Sequence, residues 1–96
     1  MIRNAGDRLE VSGAMTLPGA TALLAAGGAA LASGETVFDL KAVDAVDSSS
    51  IAVIFGWLRQ AKTQGKTIRI SNPPQDLLSL AELYGVTELL PLGSEA

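Results

Sequence analysis

The chain has 96 residues, 48% of them hydrophobic and 18% charged, with a net charge of −3; this fits one small domain, expected over residues 1–96, with a folded core. It contains no cysteine and no histidine, which excludes disulfides, thiolate nucleophiles, Cys/His metal sites and triads with a histidine base. The acidic balance and an aromatic content of 4% argue against general nucleic-acid binding and base stacking.

No signal peptide is read at Met1–Asp7, because no long apolar run follows Arg3. Residues 1–5 are expected to add a short edge strand. Arg8-Leu9-Glu10-Val11-Ser12 alternates polar and apolar residues and predicts a half-buried strand ended by Gly13. Thr16 is placed as a helix N-cap, with Pro18 in the first turn. The helix is expected from about Leu17 to Ala32, closed by Gly34. Ala20–Ala32 is the longest low-polarity stretch, but it is too short to span a bilayer, and a soluble cytoplasmic domain is expected. Gly27-Gly28 inside this helix costs about 1 kcal/mol per glycine relative to alanine. The pair is read as close packing, since no Gly-Lys-Ser/Thr follows it as a phosphate loop requires.

Thr36-Val37-Phe38-Asp39-Leu40 predicts a buried strand, and Val43, Ala45 and Val46 continue it as a loop or an extension. Ser48-Ser49-Ser50 then opens a second helix that runs through Ile51–Lys62. Its length, its serine caps and its late cations favour helix over strand despite the β-branched residues. Gly65 stops it, and Thr67–Ser71 alternates as a strand. Pro73-Pro74 opens a third helix, with Leu77, Leu78, Leu80, Ala81 and Tyr84 on its apolar side and Gly85 after it as the C′ residue. Val86–Leu92 is expected to form one brief strand or turn. Strand–helix alternation of this kind predicts an α/β fold with a largely parallel sheet and right-handed crossovers.

Asp47 and the three serines that follow it sit where a helix leaves backbone N–H groups unpaired and where its dipole is positive. One hydroxyl can cap the helix, which leaves one or two facing outward; capping is also the commonest task of serine there. On a helical wheel Ile51, Ile54, Phe55, Leu58 and Ala61 form the expected core stripe, with Val53 and Trp57 on its shoulder. A shoulder tryptophan is either the rim of the core or a binding hot spot, and the interface reading is preferred. Arg59, Lys62, Lys66 and Arg69 follow the helix start, and no acid occurs from Ser48 to Gln75. This is read either as dipole complementation on a solvated face or as a patch for an acidic partner. The spacing of Asp39, Asp44 and Asp47 does not fit a calcium loop. Asp39 and Asp47 are expected to hold turns and loop backbone, and no metal or cofactor is expected.

The segment Phe38-Asp39-Leu40-x-x-Val43-Asp44-x-Val46-Asp47-Ser48-Ser49 resembles the signature of STAS domains, with Ser50 where that family usually has glycine. The resemblance implies a small mixed, mostly parallel sheet of four to five strands packed with three to four helices. Leu80-Ala81-Glu82-Leu83-Tyr84-Gly85-Val86 followed by Leu89-Leu90-Pro91 is similar to the end of the MlaB branch. Ser12-Gly13 and Ala61-Lys62-x-Gln64-Gly65 are also similar to that branch. It implies a non-enzymatic subunit at the inner face of the inner membrane. Its partner would be the cytoplasmic, MlaF-like ATPase of an MlaFEDB-type ABC transporter, with its permease. Such a transporter moves phospholipids and maintains outer-membrane lipid asymmetry. Partner-binding residues would then be Asp47, Ser48, Ser49, Ser50, Val53 and Trp57, with Ser48 as the ATPase contact. The other branch implied is an anti-sigma-factor antagonist switched by phosphorylation, with Ser49, and less so Ser48, as acceptor.

Overall fold

Strands β1 (Ile2–Asn4), β2 (Leu9–Met15), β3 (Glu35–Val46) and β4 (Thr67–Ser71) form one sheet in that spatial order. The computed structural model describes residues 1–92; residues 93–96, part of the expected domain, lie outside the described residues. β1 runs antiparallel to β2, and β2, β3 and β4 are mutually parallel. The parallel strands are joined by helices α1 (Ala20–Ala29) and α2 (Ser48–Thr63), and α3 (Gln75–Leu83) follows β4. Each parallel strand is added on the same side of the previous one. Right-handed crossovers made repeatedly in one direction place the helices on one face of the sheet. The mixed, mostly parallel sheet expected from the sequence is present, with four strands and three helices.

Strand alternation divides the residues accordingly. Val11, Phe38, Leu40, Ile68 and Ile70 are buried beneath the helices in one continuous cluster with Ile54, Trp57 and Leu77. The opposite face carries Glu10, Asp39 and Arg69. β3 is longer than the five residues whose pattern predicts a strand, and it takes in Val43, Ala45 and Val46 as an extension. It carries one extra residue between Asp39 and Ala42 relative to β2, and another between Val43 and Ala45. These bulges disrupt the simple alternation that would have revealed a long strand.

The first helix differs from its sequence reading at both ends. A short 3-10 turn, Leu17–Gly19, precedes α1, and the Thr16 side chain makes no capping bond. α1 ends at Ala29, before Ala32 and Gly34. In α3, Leu77 and Ala81 are buried, whereas Tyr84 is 55% exposed and leaves the expected apolar side. Gly85, at φ 69°, takes the left-handed conformation expected of a C′ glycine. The tail forms a 3-10 turn at Thr87–Leu89 and one parallel bridge from Leu92 to Ile70.

Candidate partner-binding site

Asp47 is the N-cap of α2, and the three serines form the helix's first turn. Its two carboxylate oxygens serve two chain segments. Oδ1 accepts the Ser49 N–H at 2.8 Å, and Oδ2 accepts the Leu17 N–H at 3.1 Å. One side chain thus caps α2 and tethers the turn that leads into α1. The Leu17 N–H is the main influence holding the Asp47 carboxyl below its ordinary range; partial burial opposes it, and the Ser49 N–H and hydroxyl add to it. Leu17 was not singled out in the sequence, because its contribution is a backbone group thirty residues away.

The three serines part company here. Ser50 is fully buried, and its hydroxyl donates to the Asp47 carbonyl at 2.7 Å. Ser49 is half-buried and leans on Asp47. Ser48 is exposed. Of the expected trio, Ser48 and Ser49 remain within reach of a partner and Ser50 does not.

Val53 and Trp57 require correction as surface contacts. They are 3% and 0% exposed. The Trp57 ring stacks on Phe38 of β3, with centroids 4.1 Å apart and planes 5° from parallel, and its Nε1–H donates to the Leu23 carbonyl at 3.1 Å. The buried side of α2 centres on Ser50, Ile54, Trp57 and Ala61. At 3.6 residues per turn this is rotated by roughly 80° from the expected stripe. The cause lies in α1. Gly27 carries no side chain where it faces the Trp57 indole, and a Cβ there would overlap the ring. Gly56 of α2 likewise makes room for Leu24. Of the glycine pair read as a packing device, Gly27 is therefore the one that admits the tryptophan to the interior, while Gly28 faces the end of Gln60.

The outward side of α2 carries Ser48, Ala52, Arg59 and Lys62, all exposed, with Phe55 half-buried among them. Beside the helix start, Val46, Asp76, Ser79, Leu80 and Leu83 line a groove of about 350 Å³. Leu83 is 76% exposed at its edge, and Leu17, on the α1 side, is 71% exposed. The surface around Ser48 thus combines hydroxyls, a positive helix end and flanking apolar side chains, a composition suited to protein contact.

Another cleft, of about 490 Å³, opens on the bare face of the sheet and is lined by Arg8, Glu10, Asp39, Lys41 and Asn72. Asp39 is buried at its floor. Burial pushes its carboxyl up, but donors from Asn72 (3.0 Å) and the Lys41 N–H (3.0 Å), together with Arg8, hold it below the ordinary value. Arg8 also reaches Asp7 at 3.0 Å and Glu10 at 2.8 Å. Its cation is consumed within the cleft. Asp47 holds turn backbone, as expected, whereas Asp39 accepts from the Lys41 N–H within β3 and from the Asn72 side chain rather than from loop backbone. Among the described residues no group of three acids is placed to hold a metal ion, and no helix is long and apolar enough to cross a membrane.

Sheet, one-sided helix layer and acid-capped helix start together describe an α/β domain built around an exposed loop rather than an enclosed cavity. The chain belongs to the STAS family: the family model described as "Mlab, STAS domain" matches residues 2–91. It is similar to the intermembrane phospholipid transport system binding protein MlaB of Haemophilus influenzae, with 33% identity over 51 residues. That match covers 53% of this chain and 49% of the relative, about half the length of each. The fold is similar to that of the anti-sigma factor antagonist SpoIIAA in its unphosphorylated form, with TM-score 0.72 and 13% identity over 99% of this chain and 88% of the other. A Thermotoga maritima protein provisionally named an anti-sigma factor antagonist gives TM-score 0.68 and 14% identity over 96% and 83% of the two chains.

Proposed function

We propose that this protein is a non-catalytic subunit that binds the cytoplasmic ATPase of an ABC transporter moving phospholipids between membranes. In this reading it sits in the cytoplasm and reaches the inner membrane only through its partners. The observation that carries the reading is the start of α2: Asp47 fixes the loop, Ser48 stands exposed at the positive helix end, and Leu17, tethered to Asp47, and Leu83, on the groove that Val46 lines, leave apolar side chains exposed. The likeness to an MlaB protein supplies the partner class.

The test is binding of the purified ATPase by wild type and by Ser48→Asp. The Ser48 side chain is exposed and the site tolerates negative charge, so the variant is expected to melt at the wild-type temperature and to bind at least tenfold more weakly. Equal affinity in the folded variant would refute the surface.

A second reading, an anti-sigma-factor antagonist, is favoured by one observation. Ser49 sits in the turn that Asp47 caps, its N–H donating to the Asp47 carboxylate at 2.8 Å. A phosphate there would stand against that carboxylate and loosen the cap, which is how such a switch would act. Phosphate mass on Ser49, in protein purified with a kinase-type partner from its native cell, would establish it in place of the first.

A further inference from the structure

Of the seven Lys and Arg side chains, Lys41 lines the bare-face cleft without an ion pair among the described residues and Lys66 donates to the Leu31 carbonyl at 3.4 Å; the other five divide into two populations. Arg3, Arg8 and Arg69 lie on the bare sheet face, and each has an acid of its own: Glu10 for Arg3, Asp7, Glu10 and Asp39 for Arg8, and Glu35 for Arg69. Arg59 and Lys62 lie on the outward side of α2, and neither forms an ion pair among the described residues. The sequence holds no acid from Ser48 to Gln75, so α2 has none to offer them. At about 100° per residue, Ser48, Ala52, Phe55, Arg59 and Lys62 fall on a single stripe, which at 1.5 Å per residue is about 21 Å long. The helix dipole favours Lys62 in the last turn, but it does not dictate that both cations share a line with Ser48.

We infer that this whole stripe is one docking surface, and that its occupant is a protein segment carrying carboxylates opposite Arg59 and Lys62. The inference rests on the proposed role of the α2 start and extends it to the far end of the same helix. The chemistry is graded along the stripe. Hydroxyls lie at one end, the small Ala52 and the half-buried Phe55 in the middle allow close approach, and two unneutralised cations lie at the other end. A partner helix with small apolar residues followed by glutamate or aspartate matches that order. A lipid surface matches it less well, because the stripe has no large exposed apolar side chain to insert beside its cations.

Binding of the purified ATPase is measured for wild type, Arg59→Glu/Lys62→Glu and Arg59→Gln/Lys62→Gln between 0.1 and 0.5 M NaCl, an interval over which the screening length shortens to about 4 Å. Wild type is expected to weaken several-fold with salt. The charge-reversed variant is expected to bind roughly tenfold more weakly at low salt and to lose most of the salt dependence, with the neutral variant between them. The neutral variant is expected to melt close to wild type and the charge-reversed one a few degrees lower, because acids in the last turns oppose the helix dipole; both remain folded at the assay temperature, so the neutral variant separates binding from stability. If Ser48→Asp breaks the complex while both α2 variants bind as wild type does, the inference falls and the helix-start reading stands. If wild type itself does not bind the ATPase, both fall. Vesicles of neutral lipid with and without phosphatidylglycerol are the control. Charge-dependent sedimentation of wild type that is lost in Arg59→Glu/Lys62→Glu would assign the cations to headgroups and overturn the protein partner.

Discussion

The two faces of the sheet are made from the same strands and are stabilised in opposite ways. Beneath the helices, Phe38, Trp57 and Gly27 meet at contact distance, and the fit depends on a missing Cβ. On the bare face, Arg3, Arg8, Glu10, Asp39, Glu35 and Arg69 settle their charges among themselves, in or near water. Packing in a dry interior is unforgiving, because a cavity or an overlap has no solvent to fill or relieve it. Exposed ion pairs exchange one set of hydrogen bonds for another and contribute little. The contrast also bears on function. A face whose arginines are all paired has less to offer a charged partner, whereas the outward side of α2 keeps Ser48, Arg59 and Lys62 exposed and without an ion pair among the described residues.

The comparison breaks most readily at Trp57. Trp57→Ala is expected to cost about 3–5 kcal/mol of stability, read as a lowered urea midpoint, so any loss of partner binding would follow from unfolding. Gly27→Val is next, at about 1–3 kcal/mol for forcing a side chain against the indole; the same change at Gly28 meets only the movable end of Gln60 and is expected to cost less. Ser50→Ala removes a buried hydroxyl donor and is expected to cost about 1 kcal/mol. Acid tests two carboxylates, Asp39 on the bare face and Asp47 at the start of α2. Asp39 and Asp47 both have carboxyl pKa values below the ordinary range. Their contribution is therefore complete above the unfolded value of about 3.9 and is lost as pH falls through the lower folded values. Urea midpoints measured from pH 6 to pH 2 should drop through that window, and Asp39→Asn should be less stable at pH 6 and lose less on acidification. Glu35→Ala is expected to do least, under about 1 kcal/mol. A larger loss in thermal melts would mean that the bare face stabilises the fold as the buried one does.

Much of this was legible in the residues. Alternation at Arg8–Ser12 and Thr67–Ser71 marked β2 and β4, and the run from Asp47 onward marked the start of α2. What failed was the rotation of that helix. A wheel built from Ile51, Ile54, Phe55, Leu58 and Ala61 weighs side chains by their own hydrophobicity; Ile51, Ile54 and Ala61 are buried as it expects, but Phe55 and Leu58 are only half-buried, because Gly27, on another helix, leaves space for Trp57. Thr16 makes no cap for a local reason: the residue at N2 is Pro18, which has no N–H, and the Gly19 N–H donates to the Thr16 carbonyl at 3.1 Å, while the Leu17 N–H goes to Asp47 from across the fold. The bulges hid the length of β3 by moving its apolar residues out of phase. Asp47 and the serines were readable as a helix start, but that Ser48 stays exposed, Ser49 is half-buried and Ser50 turns inward was decided by tertiary packing.

The tail has a consequence at the rim of the sheet. The Ile70 N–H, on the outer side of β4, donates to the carbonyl of Pro91 at 2.7 Å. Proline accepts but has no N–H to donate, so the segment that occupies this edge is a poor template for the next strand. The sheet is closed on that side by a residue that ends the ladder it joins. In a multi-subunit assembly, where copies of a small domain are held at high local concentration, such a terminator favours partnership through the helices over stacking strand to strand.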